Sequence, residues 1–248
     1  MNIVEAYIKF NKQLVILVSG INGCGKGEIA QDIASDFEIS LIDQFKYYRD
    51  DYNEETELPN GTKIINWDND DAVNWDKLNE DVNEKKSKGV IVVGFSFPKD
   101  KLNFEQDFHL HINIAKKVCF EKRKGFLEKH RDRFPEDVPE QELLKFNKLT
   151  FPYYLETREK NKVDKWLNAN KFSNDELYDQ AFDYLIAMIQ RWLDQKDGKA
   201  GPPKPKRKTP DEKMEELRKD EVIEELADES DEEFDPDRVP KDEPIFIS

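Results

Sequence analysis

The sequence predicts an α/β domain over residues 1–197, in which a parallel β-sheet is flanked by helices, and an acidic tail over residues 198–248. Short apolar segments alternate with segments of helical periodicity, and strands joined through helices form parallel sheets with right-handed crossovers. Beyond residue 197 the chain is rich in Pro, Lys, Asp and Glu, a composition typical of disorder. Charged residues make up 38% of the chain and hydrophobic residues 37%, which agrees with a chain only partly packed around a core.

The elements are predicted in chain order from their periodicity. The first strand, residues 14–18, is entirely apolar, which predicts burial on both faces of a parallel sheet. A helix follows at residues 28–37, where apolar residues recur at helical spacing. Ser173 or Asn174 is expected to cap the final helix. The other predicted strands are residues 39–42, 90–93, 108–114 and 163–167, and the other predicted helices are residues 75–88, 115–136 and 174–193.

A glycine-rich sequence that matches G-x-x-x-x-G-K joins the first strand to the first helix. Glycines are needed in such a loop because backbone N–H groups turn inward around phosphate oxygens, and side chains would block that approach. Lys26 is expected to reach the β- and γ-phosphates, and the helix N-terminus adds its dipole. We therefore predict a P-loop NTPase-type domain that binds ATP or GTP. The predicted nucleotide-binding residues are Gly20, Asn22, Gly23, Cys24, Gly25, Lys26, Gly27 and Glu28.

Further motifs follow this loop. The sequence D-Q-F begins at Asp43, directly after the second predicted strand; W-D begins at Trp67 and D-A at Asp71. The order of these motifs resembles the uridine kinase family, which includes the nicotinamide riboside kinases, although Asp70 stands where that family has proline. The resemblance covers roughly residues 13–167. It implies Mg²⁺-dependent phosphoryl transfer to the hydroxyl group of a nucleoside-like molecule.

The resemblance also assigns roles to particular residues. Asp43, expected at the end of the strand beside the loop, would orient the acceptor hydroxyl group and take its proton, whereas the alternative is a turn-capping aspartate. Asp68 would bind the sugar hydroxyl groups, unless it is one of the many solvated acids of its segment. Tyr47 and Trp67, together with Tyr48, would stack on the base, although aromatic residues also fill cores.

A basic cluster within residues 116–133 lies where the family has a helical lid that closes over the triphosphate. Arg123 is the predicted catalytic arginine of this lid, in contact with phosphate. The alternative is a solvated helix whose basic residues pair with neighbouring glutamates.

The usual supports of the metal are altered in this chain. Gly27 stands where most P-loops have the Ser or Thr that binds Mg²⁺, and the third strand ends near Gly94 instead of an acidic residue. Glu28 and Asp43 are therefore the predicted metal ligands, with a degraded site as the alternative. Two functions stay open: a nucleoside kinase, or a catalytically weakened P-loop fold that acts as a nucleotide-binding or interaction module.

Composition limits the partners and the compartment. The net charge of −15 gives no strong nucleic-acid signal. The longest apolar run, residues 14–18, is too short to cross a membrane. Because Cys24 and Cys119 lack the spacing of a zinc site, we expect reduced thiols in an intracellular, cytoplasmic protein.

The acidic tail has several interpretations. It is expected to be disordered or to form a short helix over residues 214–226. A plain solubilising role is the simplest interpretation of its function. The basic cluster at residues 204–208 resembles a nuclear-import signal, and Ser230 precedes an acidic run typical of acidophilic-kinase sites. Its negative charge also suits a protein partner, or the basic lid of the same chain.

Overall fold

The structure is a computed structural model that describes residues 2–129, 138–158 and 160–196. Its strands and helices are named in chain order. The strands are β1 (Val15–Gly20), β2 (Ser40–Asp43), β3 (Glu55–Glu57), β4 (Lys63–Ile65), β5 (Val90–Gly94), β6 (Phe108–Asn113) and β7 (Lys165–Asn168). The helices are α1 (Ile3–Asn11), α2 (Lys26–Asp36), α3 (Trp75–Lys85), α4 (Lys116–Lys129), α5 (Val138–Lys145), α6 (Phe151–Arg158) and α7 (Asn174–Lys196).

A parallel sheet with the strand order β2-β5-β1-β6-β7 forms the centre of the fold. Every residue of β1 is buried, since this strand has neighbours on both sides and helices over both faces. Successive residues of β1 serve opposite faces: Ile16 and Val18 join the core with α2 and α7, whereas Val15 and Leu17 join the core with α3. The predicted α/β fold of P-loop type is confirmed.

The sheet extends in opposite directions from β1, because β5 pairs with one edge of this strand and β6 with the other. In open parallel sheets ligands bind beyond the carboxyl ends of the strands at such a point. The sequence after β1 is the glycine-rich loop, so the fold brings the predicted phosphate-binding residues to this position.

Some elements were not predicted from periodicity. Helix α1 begins with a reciprocal cap, in which Asn2 accepts from the Glu5 amide and Glu5 accepts from the Asn2 amide. The antiparallel ribbon of β3 and β4, and the helices α5 and α6 joined through a π-helical turn at Phe146–Thr150, also arise where no element was expected. Helix α1 does have apolar residues at helical spacing, with Val4 and Tyr7 buried, whereas each strand of the ribbon has only three residues, too few for a periodic pattern.

The final helix confirms one of the two predicted caps. Ser173 Oγ accepts a hydrogen bond from the Glu176 amide at 3.3 Å, and the Glu176 carboxylate accepts from the Ser173 amide at 2.8 Å. Ser173 is therefore the cap, and Asn174 is free to point elsewhere.

The predicted tail over residues 198–248, with its basic cluster at residues 204–208 and Ser230, lies outside the described residues, as do Arg131 and Arg133 of the predicted lid. Within the described part of the chain, no helix is long and apolar enough to cross a membrane.

Candidate active site

The glycine-rich loop at residues 20–26, named the phosphate loop for its predicted role, joins β1 to α2 at the centre of the sheet edge. Gly25 has a φ of 93°, a left-handed conformation that glycine adopts without strain, and it is the cap residue of α2. No side chain of the described residues caps this helix. The amides of its first turn are therefore available to an anion, which helix N-termini generally favour.

Lys26 curls over its own loop. Its side chain is only 6% exposed, and its Nζ donates to the Asn22 Oδ1 at 2.9 Å and to the Ile21 carbonyl oxygen at 3.3 Å. The ammonium group also lies 5.6 Å from the centre of the Phe45 ring. Burial lowers the pKa of Lys26, and the neighbouring Cys24 and Asp43 oppose that shift. A charged lysine in so dry a place is stabilised by an anion within reach.

Helix α4 brings Arg123 to the same loop. Arg123 donates to the Glu142 carboxylate on α5 at 2.6 Å, and its guanidinium group lies 5.8 Å from the centre of the Phe146 ring. Its side chain is 17% exposed, and its buried Nε has no hydrogen-bond partner in the described residues. Its charge lowers the pKa of Lys26 as a minor cause after burial, so the two cations lie close to each other. Arg123 thus has a glutamate partner, as the solvated-helix alternative predicts. The pair is largely buried, however, and not solvated.

Asp43 ends β2, but the expectation that β2 lies beside the phosphate loop was wrong. In the sheet β5 lies between β2 and β1. Sequence periodicity predicts which segments are strands, but their order depends on crossovers that leave no local pattern. The Asp43 Oδ1 accepts a hydrogen bond from the Phe45 amide at 3.0 Å and caps a short 3₁₀ turn. This is the turn-capping role that the sequence offered as the alternative. Its charge nevertheless raises the pKa of both Lys26 and Tyr48.

Gly94 ends the intervening strand β5, and Gln44 fills the space beside it. The Gln44 side chain is buried; its Oε1 accepts from the Phe95 amide at 2.8 Å and its Nε2 donates to the Ser96 carbonyl oxygen at 3.0 Å. An amide thus stands close to the place where an acidic residue was expected. No sequence pattern indicates this arrangement, because a glutamine after a strand has no characteristic spacing.

The predicted metal ligands lie in different surroundings. The Glu28 carboxylate accepts a hydrogen bond from Asn174 on α7, whereas the charge of Asp43 raises the pKa of Lys26 and of Tyr48. Among the described residues, no group of three or more His, Cys, Asp or Glu side chains could hold a metal ion. Mg²⁺ bound with phosphates commonly takes one or two carboxylates and several waters. Asp43 alone fits that requirement, and the role of Glu28 stays a prediction.

A narrow cleft lies beyond the ends of β2 and β5, with free space of about 10 Å³, roughly the room for one water molecule. Trp67 packs edge-on against Tyr48, with ring centres 5.6 Å apart, and Tyr153 stacks on Phe95 at 5.4 Å. Tyr47 is not part of the lining; its hydroxyl group donates to Asp81 on α3. The lining consists of Gln44, Tyr48, Trp67, Asp68, Asn69, Asp70, Val73, Trp75, Phe95, Ser96 and Tyr153.

The carboxylates of the cleft are held from the α5–α6 segment. Thr150 Oγ1 donates to Asp68 Oδ2 at 2.7 Å, and Lys145 Nζ lies 3.9 Å from the same oxygen. The Tyr153 hydroxyl group donates to Asp70 Oδ1 at 2.6 Å. Asp68 is therefore not a solvated acid, since its side chain is only 7% exposed. Sequence reasoning missed Thr150 and Tyr153, because it predicted no element in their segment.

A buried polar chain beneath the loop was missed as well. Ser19 Oγ lies 2.7 Å from His109 Nε2 and 2.8 Å from His111 Nδ1, and His111 Nε2 lies 3.1 Å from the Tyr154 hydroxyl group. Burial lowers the pKa of His109 to about 4, and the pKa of His111 well below its usual value. Both rings are therefore neutral near pH 7. Tyr154 and its neighbour Tyr153 thus connect α6 to the loop strand and to the cleft.

Three solved structures are similar to this chain. A gluconokinase from Sinorhizobium meliloti 1021 has 12% identity over 74% of this chain and 97% of that chain, with a TM-score of 0.46. A sugar kinase from Janibacter sp. HTCC2649 has 14% identity over 70% and 94%, with a TM-score of 0.46. An uncharacterized protein from Eubacterium ventriosum ATCC 27560 has 15% identity over 71% and 99%, with a TM-score of 0.42. Similarities of this size decide neither family nor substrate, which depend on the site itself.

No protein-family model and no curated protein sequence matches the chain.

Proposed function

We propose that the protein is a P-loop kinase that transfers the γ-phosphoryl group of ATP or GTP to a hydroxyl group of a nucleoside-like small molecule. The observation that carries the proposal is the course of three consecutive residues that begin with the last residue of β2. Phe45 contacts the Lys26 ammonium group and Gln44 lines the cleft, while Asp43 acts electrostatically on both Lys26 and Tyr48. A carboxylate whose charge acts on both a phosphate-binding lysine and a residue of the cleft suits phosphoryl transfer to an alcohol, provided that the cleft widens to admit the acceptor.

In this mechanism the amides at the start of α2 and the Lys26 ammonium group hold the β- and γ-phosphates. Asp43 orients the acceptor hydroxyl group and takes its proton as the acceptor oxygen bonds to the γ-phosphorus and the bond to the bridging oxygen breaks, which releases ADP or GDP. Arg123 neutralises charge on the transferred group. When bound, Mg²⁺ supplies further neutralisation of the phosphates, and Asp43 is the residue that would hold it.

The charge of the cleft supports an acceptor that is neutral or positively charged. Asp68 and Asp70 line it, and none of its lining residues in the described part of the chain is Lys or Arg. Lys145 offsets part of the Asp68 charge from outside the lining. A carboxylate or phosphate on the acceptor would face these acids without a cation to pair with, which is unfavourable in a site of low dielectric. The aromatic walls favour a flat ring.

The second candidate is a nucleotide-binding module without turnover. It is favoured by the two glycines at the usual metal supports: Gly27 has no side chain, and the space beside Gly94 is taken by the Gln44 amide. In this case the loop would bind nucleotide as proposed, and the cleft would serve recognition alone.

The two candidates are separated by one experiment. Purified full-length protein is incubated with Mg²⁺, ATP or GTP and a panel of acceptors, and release of ADP or GDP is measured. We expect release with neutral or pyridinium nucleosides, and none with gluconate or nucleoside monophosphates. Nucleotide binding by calorimetry without release for any acceptor would favour the module, and release only with the anionic acceptors would contradict the charge argument.

A further inference from the structure

Glu28 stands at the third position of α2 counted from the cap residue Gly25. A glutamate at this position can fold back so that its carboxylate accepts from the amide of the cap residue. The same fold contains two examples, Glu5 at the start of α1 and Glu176 at the start of α7. At α2 the amides in question are those that the proposed function assigns to phosphate.

Glu28 does not fold back in this structure. Its Oε2 accepts a hydrogen bond from the Asn174 side chain, at the start of α7. The same Asn174 side chain lies against the turn of the phosphate loop, since a Cβ atom at Gly25 would overlap its amide oxygen. One amide therefore contacts both the cap residue of α2 and the carboxylate that is able to cap it.

An open cavity of about 390 Å³ adjoins this contact. Its lining includes Glu28, Asp32 and Asp175 but, among the described residues, no Lys or Arg. The Glu28 carboxylate thus has room to change its rotamer, and no cation of the lining holds it in place. Asn174 is the residue that fixes its direction.

We propose that Asn174 is a positioning residue that keeps the Glu28 carboxylate off the phosphate loop. Without this hydrogen bond, Glu28 folds back onto the amides of the first turn of α2, where it excludes phosphate by occupancy and by charge. The inference rests on the proposed function in one respect: the ligand that competes with the Glu28 carboxylate for these amides is taken to be a nucleoside triphosphate.

The test exchanges the hydrogen-bonding roles of the two residues. Asn174→Asp keeps the size of the side chain against Gly25 but removes its donor, and Asn174→Ala removes the contact without adding charge. Adding Glu28→Gln to Asn174→Asp restores a donor and an acceptor in reversed order, at the net charge of the wild type. Dissociation constants for ATP and GTP are measured by calorimetry on full-length protein, with thermal unfolding as the check of folding.

We expect Asn174→Ala and Asn174→Asp to weaken nucleotide binding by about tenfold, because a charged competitor then holds the loop amides. In binding measurements without Mg²⁺, in which the predicted metal role of Glu28 does not enter, the exchanged pair and Glu28→Gln alone should bind at least as tightly as the wild type. Asp175→Asn is the matched control, since it changes the charge of the same cavity without touching the Glu28 contact, and it should change affinity by less than about threefold.

Two outcomes would reject the inference. Wild-type affinity in both Asn174 variants would mean that Glu28 needs no restraint. An exchanged pair as weak as Asn174→Asp alone would mean that Asn174 does not act through the Glu28 carboxylate. If Lys26→Met abolishes binding while the Asn174 variants are normal, only this inference fails; if no variant and no wild-type protein binds a nucleotide, the proposed function fails with it.

Discussion

The side-chain amide of Gln44 occupies the space that a side chain at position 94 would need. A Cβ atom at Gly94 would lie 2.6 Å from Gln44 Oε1 and 2.7 Å from the tip of the Phe97 ring. Only a residue without a side chain at position 94 leaves room for the Gln44 amide, which forms hydrogen bonds with the backbone of residues 95 and 96. The end of β5 is thus packed for a residue without a side chain, and introducing an acid at position 94 alone is not neutral.

Gly94→Asp should destabilise the protein by about 2–4 kcal/mol, because contacts this close force neighbouring groups to move. Chemical denaturation measures the loss. Gln44→Ala alone should cost about 1–3 kcal/mol through the unpaired Phe95 amide. In the double variant the costs should be less than additive, since the new side chain gains the space of the old one. Additive costs would contradict the proposed match.

Lys26→Met should weaken binding of ATP and GTP by at least about tenfold while the fold is kept. The methionine fills a similar volume, and it removes a charge that burial already disfavours, so the melting temperature should stay or rise. Calorimetry measures affinity. Lys46→Met, at an exposed lysine nearby in the sequence, is the control and should bind as the wild type does. Unchanged affinity in Lys26→Met would reject the phosphate-loop assignment.

Asp43→Asn should lower turnover by about 10² or more and change nucleotide affinity much less. The substitution keeps an oxygen for the Phe45 amide, so the 3₁₀ turn that Asp43 caps should persist. Steady-state kinetics with the best acceptor measures the effect. Asp51→Asn, at an exposed acid paired with Arg49, is the control. A wild-type rate in Asp43→Asn would favour the binding module.

The sequence predicted the strands of the central sheet and the phosphate loop because both have local signatures. Residues 14–18 are an apolar run, and the loop needs glycines at fixed spacing. It did not predict that β5 separates β2 from β1, since strand order depends on crossovers. Nor did it predict Tyr153 or Gln44, because each acts through one long-range contact that no periodicity records.

The protein should lose stability as the pH falls from 7 to 5. The pKa of histidine in the unfolded chain is near 6.5, whereas burial lowers the pKa of His109 in the folded protein to about 4. Between these two pH values the unfolded state therefore binds the proton more readily than the folded state. The contribution is therefore complete above about pH 6.5 and is lost progressively below it, by about 2 kcal/mol at pH 5. Urea denaturation at several pH values measures it. His109→Gln should reduce the slope, and an unchanged slope would assign the effect to other groups.

Gly27→Ser should raise Mg²⁺-dependent turnover if the missing hydroxyl group limits it. The substitution is sterically open, because nothing lies within 4 Å of a Cβ atom at Gly27, and it should favour α2 slightly, because glycine is a poor helix former. Any change in turnover therefore reports on the site and not on folding. Titration with Mg²⁺ separates the explanations, since a new ligand lowers the concentration needed for half-maximal rate. Unchanged dependence on Mg²⁺ would mean that Asp43 and the phosphates already suffice, and complete inactivity in both proteins would place the defect elsewhere and favour the module.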